Sequence, residues 1–173
     1  MISESDSSKQ TVSVVLFEVE REQFCIDLLT AREIVPKGQI RRLPQTFDFV
    51  EGIYNYRGDI IYVINIAKKL KLSEFKTLKM KGIEEQDETG SNNYIMIVNI
   101  NNINTGFLVD RILNISHIKA NSIVGLSPIF ETSISIEYIK GIVKFDDRPR
   151  ILLDVEKVLT EAEQVQIQKE LNK

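Results

Sequence analysis

The feature that most constrains this chain is an internal echo. Gly52-Ile53-Tyr54-Asn55-Tyr56 through Leu70 can be laid on Gly141-Ile142-Val143-Lys144-Phe145 through Leu159 without a gap, at an offset of 89. Ile53 meets Ile142, Tyr56 meets Phe145, Tyr62-Val63-Ile64 meets Ile151-Leu152-Leu153, and Leu70 meets Leu159. Upstream, Ile26, Leu28, Ala31 and Ile34 match Phe107, Val109, Ile112 and Ile115 at an offset of 81, so eight extra residues fall in the middle of the second copy. Any two β-hairpins share some alternating pattern, and the upstream match alone proves little. The gap-free match, with its Gly-Ile start and following helical turn, carries the duplication. Two copies of one small unit must pack on each other, because neither buries enough surface to be stable alone.

The local signals within each copy are those of short strands. Val12–Val19 and Phe24–Leu28 are rich in β-branched and aromatic residues around a polar turn. Ala31–Val35 suits either a strand or the start of a helix, and Pro36 and Gly38 end it. Val50–Tyr56 and Ile60–Ile66 flank Arg57-Gly58-Asp59 as a hairpin, and Ala67–Leu72 fits one or two helical turns. Tyr94–Ile100 and Gly106–Asp110 repeat the strand texture around an Asn-rich turn, and Ile112–Ile118 reads as a further strand. Pro128–Ser135 reads as loop, and Tyr138–Phe145 with Arg150–Val155 as a hairpin about Asp146-Asp147-Arg148-Pro149. Val158, Leu159, Ala162, Val165, Ile167 and Leu171 recur mostly three or four apart, the spacing of a terminal amphipathic helix.

The expected architecture is all-β with a C-terminal helix, the strands closed into two similar small barrels because closure removes exposed edges. Residues 1–11 are expected to form a disordered lead, 24–72 the first lobe, 73–93 an exposed charged connection, 94–159 with strand 12–19 the second lobe, and 160–173 a helix and tail.

Composition narrows the function. A net charge of −3 opposes nucleic acid as the main ligand, since phosphate binding draws on a surplus of Lys and Arg. The single Cys25 forms no internal disulfide, and no apolar run has the length of a membrane helix, so a reduced cytosolic protein without direct membrane insertion is expected. The single His117 has no second His or nearby Cys for a metal site or a catalytic triad. No phosphate-binding glycine loop is present, and Asp146-Asp147 is turn chemistry rather than a catalytic pair. No cofactor is expected, and no enzyme. Cys25 reads as a small core residue, and Lys37, Arg41 and Arg42 as a solvated face.

The Asn55-Tyr56-Arg57-Gly58 turn is more informative. Gly58 permits positive φ at a hairpin tip, and Arg57 presents a rigid donor fork beside Tyr54 and Tyr56. Such an Arg serves equally well to pair a nearby carboxylate or to anchor a protein interface. The edge at Ala31–Val35 offers a second contact surface.

These segments together carry a family resemblance. Glu33-Ile34-Val35, the hairpin from Val50 to Ile66 with its Asn-x-Arg-Gly turn, Gly106 through Ile112, and Tyr138-Ile139-Lys140-Gly141-Ile142 through Asp154 resemble the CheW family of chemotaxis coupling proteins, in family order from about Val12 to Leu159. The chain departs at Tyr62 and Asn65, where the family commonly has Pro and Asp. The resemblance implies two similar SH3-like five-stranded β-barrel lobes and a non-enzymatic adaptor. Its implied partners are the CheA-type histidine kinase regulatory domain, the cytoplasmic tip of methyl-accepting chemoreceptors and other copies of the coupler, in the cytoplasm at membrane receptor arrays. By motif, Gly52, Tyr56, Arg57 and Gly58 fall where coupling is sensitive. Glu33, Ile34 and Val35 fall on a partner-facing edge, and Val109, Asp110 and Ile112 beside the groove between lobes that receives receptor helices.

Three other readings compete, the third being an enzyme of unknown class. A small-barrel nucleic-acid or oligosaccharide binder needs aromatics interleaved with Lys and Arg, which only Tyr54, Tyr56 and Arg57 approach. A CheV-type coupling domain is fused to a receiver, for which 173 residues leave no room, so that reading holds only for a fragment.

Overall fold

The computed structural model describes residues 10–43, 47–72, 93–126 and 134–171. The expected lead before Gln10, most of the expected connection and most of the Pro128–Ser135 loop lie outside the described residues. The chain runs β1 (Thr11–Val19), β2 (Glu22–Asp27), β3 (Ala31–Pro36), β4 (Val50–Tyr56), β5 (Asp59–Asn65), α1 (Ile66–Lys69), β6 (Tyr94–Ile100), β7 (Ile103–Val109), β8 (Arg111–Lys119), β9 (Ile123–Val124), β10 (Ile139–Lys144), β11 (Pro149–Leu153), α2 (Val155–Val158) and α3 (Glu161–Leu171). Ala31–Val35 thus resolves as strand. The terminal helix is interrupted: Thr160 starts α3 afresh, its Oγ1 accepting from Glu163 N at 3.1 Å while Glu163 Oε1 accepts from Thr160 N at 2.9 Å. This reciprocal capping box ends one helix register and begins another.

The strands form a six-stranded sheet in the order β8-β1-β2-β11-β10-β9 and a five-stranded sheet in the order β3-β6-β7-β5-β4. The two lobes are therefore strand-built as expected, but they are not divided as the chain order suggests. Residues 94–109 belong with β3, β4 and β5 rather than with the later strands, and Phe24–Asp27 belongs with β1 rather than with 31–72. The β1–β2 and β6–β7 hairpins each cross to the opposite copy.

The crossing obeys the repeat. Leu152 pairs with Cys25 in parallel, and the matching residues Val63 and Gly106 pair the same way. Val15 lies opposite Ile115 between β1 and β8, as Met96 lies opposite Ile34 between β6 and β3. Both strand pairs leading into the helical turns carry a bulge, between Val50 and Gly52 and between Ile139 and Gly141. The turns match too: Glu20 and Arg21 between β1 and β2 have φ of 53° and 68°, and Asn101 and Asn102 between β6 and β7 have 51° and 66°. Two successive left-handed residues match the twist of a tight hairpin, and Asn tolerates them best.

Three apolar clusters follow from this arrangement. Val14, Leu16, Cys25, Val143 and Leu152 fill the six-stranded lobe, so Cys25 is core as expected; burial pushes its thiol up to about 12. Ile61, Val63, Ile95, Ile97 and Leu108 fill the other lobe. The largest cluster draws on both sheets, with Val15, Phe17, Phe24 and Ile26 from one and Tyr62, Ile64, Met96 and Phe107 from the other. Successive residues of β1 and β5 thus face different cores, which is why these strands read as continuous apolar runs rather than alternations.

Candidate docking surface

The hairpin of β4 and β5 turns at Arg57 and Gly58, whose φ values are 53° and 89°. Asn55 stabilises that turn, its Oδ1 accepting from Gly58 N at 2.9 Å. The geometry sends the Arg57 side chain toward β3, at the opposite end of the strand order. There Glu33 Oε2 accepts from the Tyr56 hydroxyl at 2.5 Å and from Arg57 Nε at 3.1 Å, and Arg57 Nη2 lies 2.9 Å away. The guanidinium also sits 5.6 Å from the Tyr56 ring centroid. Glu33, Tyr56 and Arg57 thereby tie the two edges of the five-stranded sheet together.

The electrostatics are mutual. The Tyr56 hydroxyl and the Arg57 guanidinium hold Glu33 below the usual carboxylate range, and the same bond to Glu33 raises both Tyr56 and Arg57. Arg57 nevertheless keeps 72% of its side chain exposed. Arg57 thus pairs a carboxylate, one of the two readings offered for it, and its guanidinium stays largely exposed.

Gly52 sits at the β4 bulge with φ of 151°, where a Cβ would lie 2.1 Å from the Arg41 carbonyl oxygen. Only glycine allows that close approach. Arg41 and Ile53 exchange backbone hydrogen bonds of 2.9 and 2.7 Å across it. Beside this bridge lies a cleft of about 560 Å³ lined by Gln39, Ile40, Arg41, Ile53, Tyr54, Asn55 and Ile60. Ile60 is 53% exposed. Lys37, Arg41 and Arg42 are all exposed, as the reading of a solvated face expects, and the Arg41 backbone additionally forms the bridge and part of the cleft wall. Its pairing to Ile53 is one that no periodicity in the sequence marks.

The remaining candidates separate. Ile34 and Val35 are half-buried on β3, Ile34 against the shared core and Val35 against the smaller one. Val109 and Asp110 are buried where the chain passes from one sheet to the other. Asp110 Oδ2 accepts from Glu20 N at 2.7 Å, and Asp110 N donates to Glu18 O, so this residue braces the β1–β2 turn. Ile112 is half-buried against the shared core. Val109 and Asp110 accordingly shape the junction from beneath, whereas Ile112 and Ile34 reach its surface. The two departures are also placed. Asn65 caps α1, its Oδ1 accepting from Lys68 N at 3.1 Å, as Asp154 caps α2 at the matching position. Tyr62 is fully buried, and its hydroxyl has no hydrogen-bond partner among the described residues.

The other lobe's tip is built differently. Asp147 accepts from Arg150 Nη1 and Nη2 at 2.8 and 2.9 Å and from Arg148 N at 2.9 Å, consistent with turn chemistry. Among the described residues no three His, Cys, Asp or Glu side chains group to hold a metal ion, and no helix is long and apolar enough to cross a membrane.

Comparison with known proteins agrees with this geometry. A family model described as CheW-like domain matches residues 13–163. The chain is 32% identical over 151 residues to "Chemotaxis protein CheW" of Thermotoga maritima, covering 86% of this chain and 87% of that protein. It is 30% identical to "Chemotaxis protein CheW" of Treponema pallidum, covering 87% and 83%. Among solved structures it resembles the "scaffolding protein TtCheW from Thermoanaerobacter tengcongensis", with a TM-score of 0.70 and 29% identity over 86% of this chain and 92% of that one.

Proposed function

The chain belongs to the CheW-like domain family, and from that premise we propose that it is a non-enzymatic chemotaxis adaptor. It couples the cytoplasmic tips of methyl-accepting chemoreceptors to the regulatory domain of a CheA-type histidine kinase, in the cytoplasm at membrane receptor arrays. The observation that carries this reading is Arg57: fixed by Glu33 and Tyr56, yet largely exposed at a hairpin tip beside a half-apolar cleft. A guanidinium held in one pose loses little freedom when a partner binds, and Arg and Tyr are preferred interface anchors.

Ile34 and Ile112, which flank the core shared by the two sheets, are the proposed contacts for a receptor helix. An amphipathic helix docks by its apolar face into such a seam. The adaptor transmits by mass action: a receptor state that binds coupler and kinase with different affinity shifts kinase activity by that difference. The kinase domain and further copies of the chain are the proposed neighbours through the lobe tips.

The test is a calorimetric titration of the chain with an isolated CheA-type regulatory domain and, separately, with a receptor tip fragment. The proposal expects saturable binding to each, and simultaneous binding of both. Failure to bind either partner overturns it.

A further inference from the structure

The internal repeat puts β3 and β8 in matching places, each at one end of its sheet. The two edges are guarded differently. On β3, Pro36 removes one donor, and Glu33 is tied across to Tyr56 and Arg57. The positions matching Glu33, Tyr56 and Arg57 are Asn114, Phe145 and Asp146, which cannot form that bridge.

β8 is nine residues long and pairs only with β1 among the described residues. The bond from Ala120 N to Gln10 O at 2.8 Å makes Gln10 and Ala120 a directly bonded pair. Alternation along an antiparallel ladder then turns the backbone groups of Ser116 and Ile118 toward β1 and those of Ile115, His117 and Lys119 away from it. The close Ser13–His117 side-chain contact of 2.6 Å fits a pair whose backbone groups point outward. Ile115, at the middle of the strand, is 51% exposed. An unguarded edge of this length is a template for one more strand.

Charge selects the occupant. β8 carries Arg111 near one end and Lys119 at the other, with no carboxylate between them. Arg111 is braced on Glu18 through Nε and Nη2 at 3.2 and 2.8 Å, with 59% of its side chain exposed. A second copy of β8 laid antiparallel about Ile115 would bring Arg111 against Lys119 at both ends, so self-pairing is disfavoured. We propose that β8 is a docking edge for an extended partner segment, one with alternating apolar side chains and carboxylates at its ends, added as a seventh strand to the six-stranded sheet. This surface is separate from the Arg57 tip that carries the adaptor reading, although β8 also holds Ile112 of the proposed receptor contact; failure of strand addition leaves that reading standing.

The test uses the full chain, isotopically labelled, with two capped synthetic peptides of alternating Val and Thr, one ending in Glu at both ends and one in Lys. Amide exchange followed by nuclear magnetic resonance should show the Glu-ended peptide slowing exchange at Ile115, His117 and Lys119 by tenfold or more, with Lys-ended peptide binding at least tenfold weaker. His117→Pro removes an outward donor without touching the β1 ladder and should abolish the protection, while Ser116 and Ile118 amides stay protected as proof of folding. Should that variant unfold, Ile115→Glu should repel the Glu-ended peptide instead. The proposal is overturned by no protection on β8, by equal binding of both peptides, by protection on β3 instead, or by concentration-dependent protection without peptide, which would give the edge to a second copy.

Discussion

Gly52 and Gly141 occupy the same bulge in the two lobes, but a Cβ would meet the Arg41 carbonyl oxygen at 2.1 Å in the first and the Val124 carbonyl oxygen at 3.0 Å in the second. The first also holds φ of 151°, a conformation that side chains rarely adopt. Gly52→Ala should therefore cost about 1–3 kcal/mol from backbone strain alone, with the displaced Arg41 bridge adding to it. Gly141→Ala should cost distinctly less. Urea unfolding of the two variants checks the order; equal losses would show that the two bulges are not distinguished by this contact.

Lys69 and Glu163 form a second long-range pair. Lys69 Nζ lies 3.0 and 2.8 Å from the two carboxylate oxygens, 4.4 Å from the Phe49 ring centroid and 5.4 Å from that of Tyr138, with only 7% of its side chain exposed. Glu163→Gln leaves a buried ammonium without its counter-charge and should cost about 3 kcal/mol. Replacing both partners, Lys69→Met with Glu163→Leu, should cost about 1 kcal/mol or less, because exchanging a buried ion pair for hydrophobes of similar volume is often near neutral. Burial alone would raise Glu163, but Lys69 and the Thr160 N–H outweigh it and hold the carboxyl below its ordinary value. The stability this confers is present above the unfolded carboxyl pKa and is lost as pH falls through the lower folded one. Thermal unfolding across mildly acidic pH, with Glu163→Gln lacking this component, checks the sign.

Tyr56 and Glu33 titrate in opposite directions because each stabilises the other's existing state. Glu33 is lowered chiefly by the Tyr56 hydroxyl, and Tyr56 is raised chiefly by Glu33. Stability from Tyr56 is present below the ordinary phenol pKa and is lost as pH rises through its raised folded value; stability from Glu33 is lost as pH falls through its lowered one. In Glu33→Gln, phenolate absorbance should appear at lower pH than in the parent chain. An unshifted tyrosine titration would mean the bond is not formed in solution.

The duplication was legible because Gly52 through Leu70 and Gly141 through Leu159 share one apolar pattern with no gap. Which hairpin joined which copy was not. If β1 and β2 pair with β3 or with β8, the same alternating residues face the same kinds of core, so the symmetry of the repeat makes crossed and uncrossed arrangements read alike. The Arg57-Gly58 turn was legible from its local φ requirement, whereas the partner of Arg57 lies 24 positions away on another strand and left no periodic mark. The burial of Val109 and Asp110 was hidden for a related reason: a strand buried on both faces gives no alternation from which to read an outward side.

The crossing has a direct consequence. Strands from both halves of the chain make up each sheet, through β1 with β8, β3 with β6, β2 with β11 and β5 with β7. Residues 1–80 and 81–173 produced as separate chains should therefore associate and recover the parent far-ultraviolet dichroism only when mixed. Two halves that each fold independently would contradict the crossed topology.

The most direct test of the adaptor account is co-sedimentation of the chain with receptor tips and a CheA-type kinase, comparing the parent with Arg57→Glu. That change inverts the charge at the exposed tip and breaks the pairing with Glu33, but it touches none of the three apolar clusters. The account predicts a folded variant that loses most of the ternary assembly, by tenfold or more in apparent affinity. Undiminished assembly by a folded Arg57→Glu chain would contradict it.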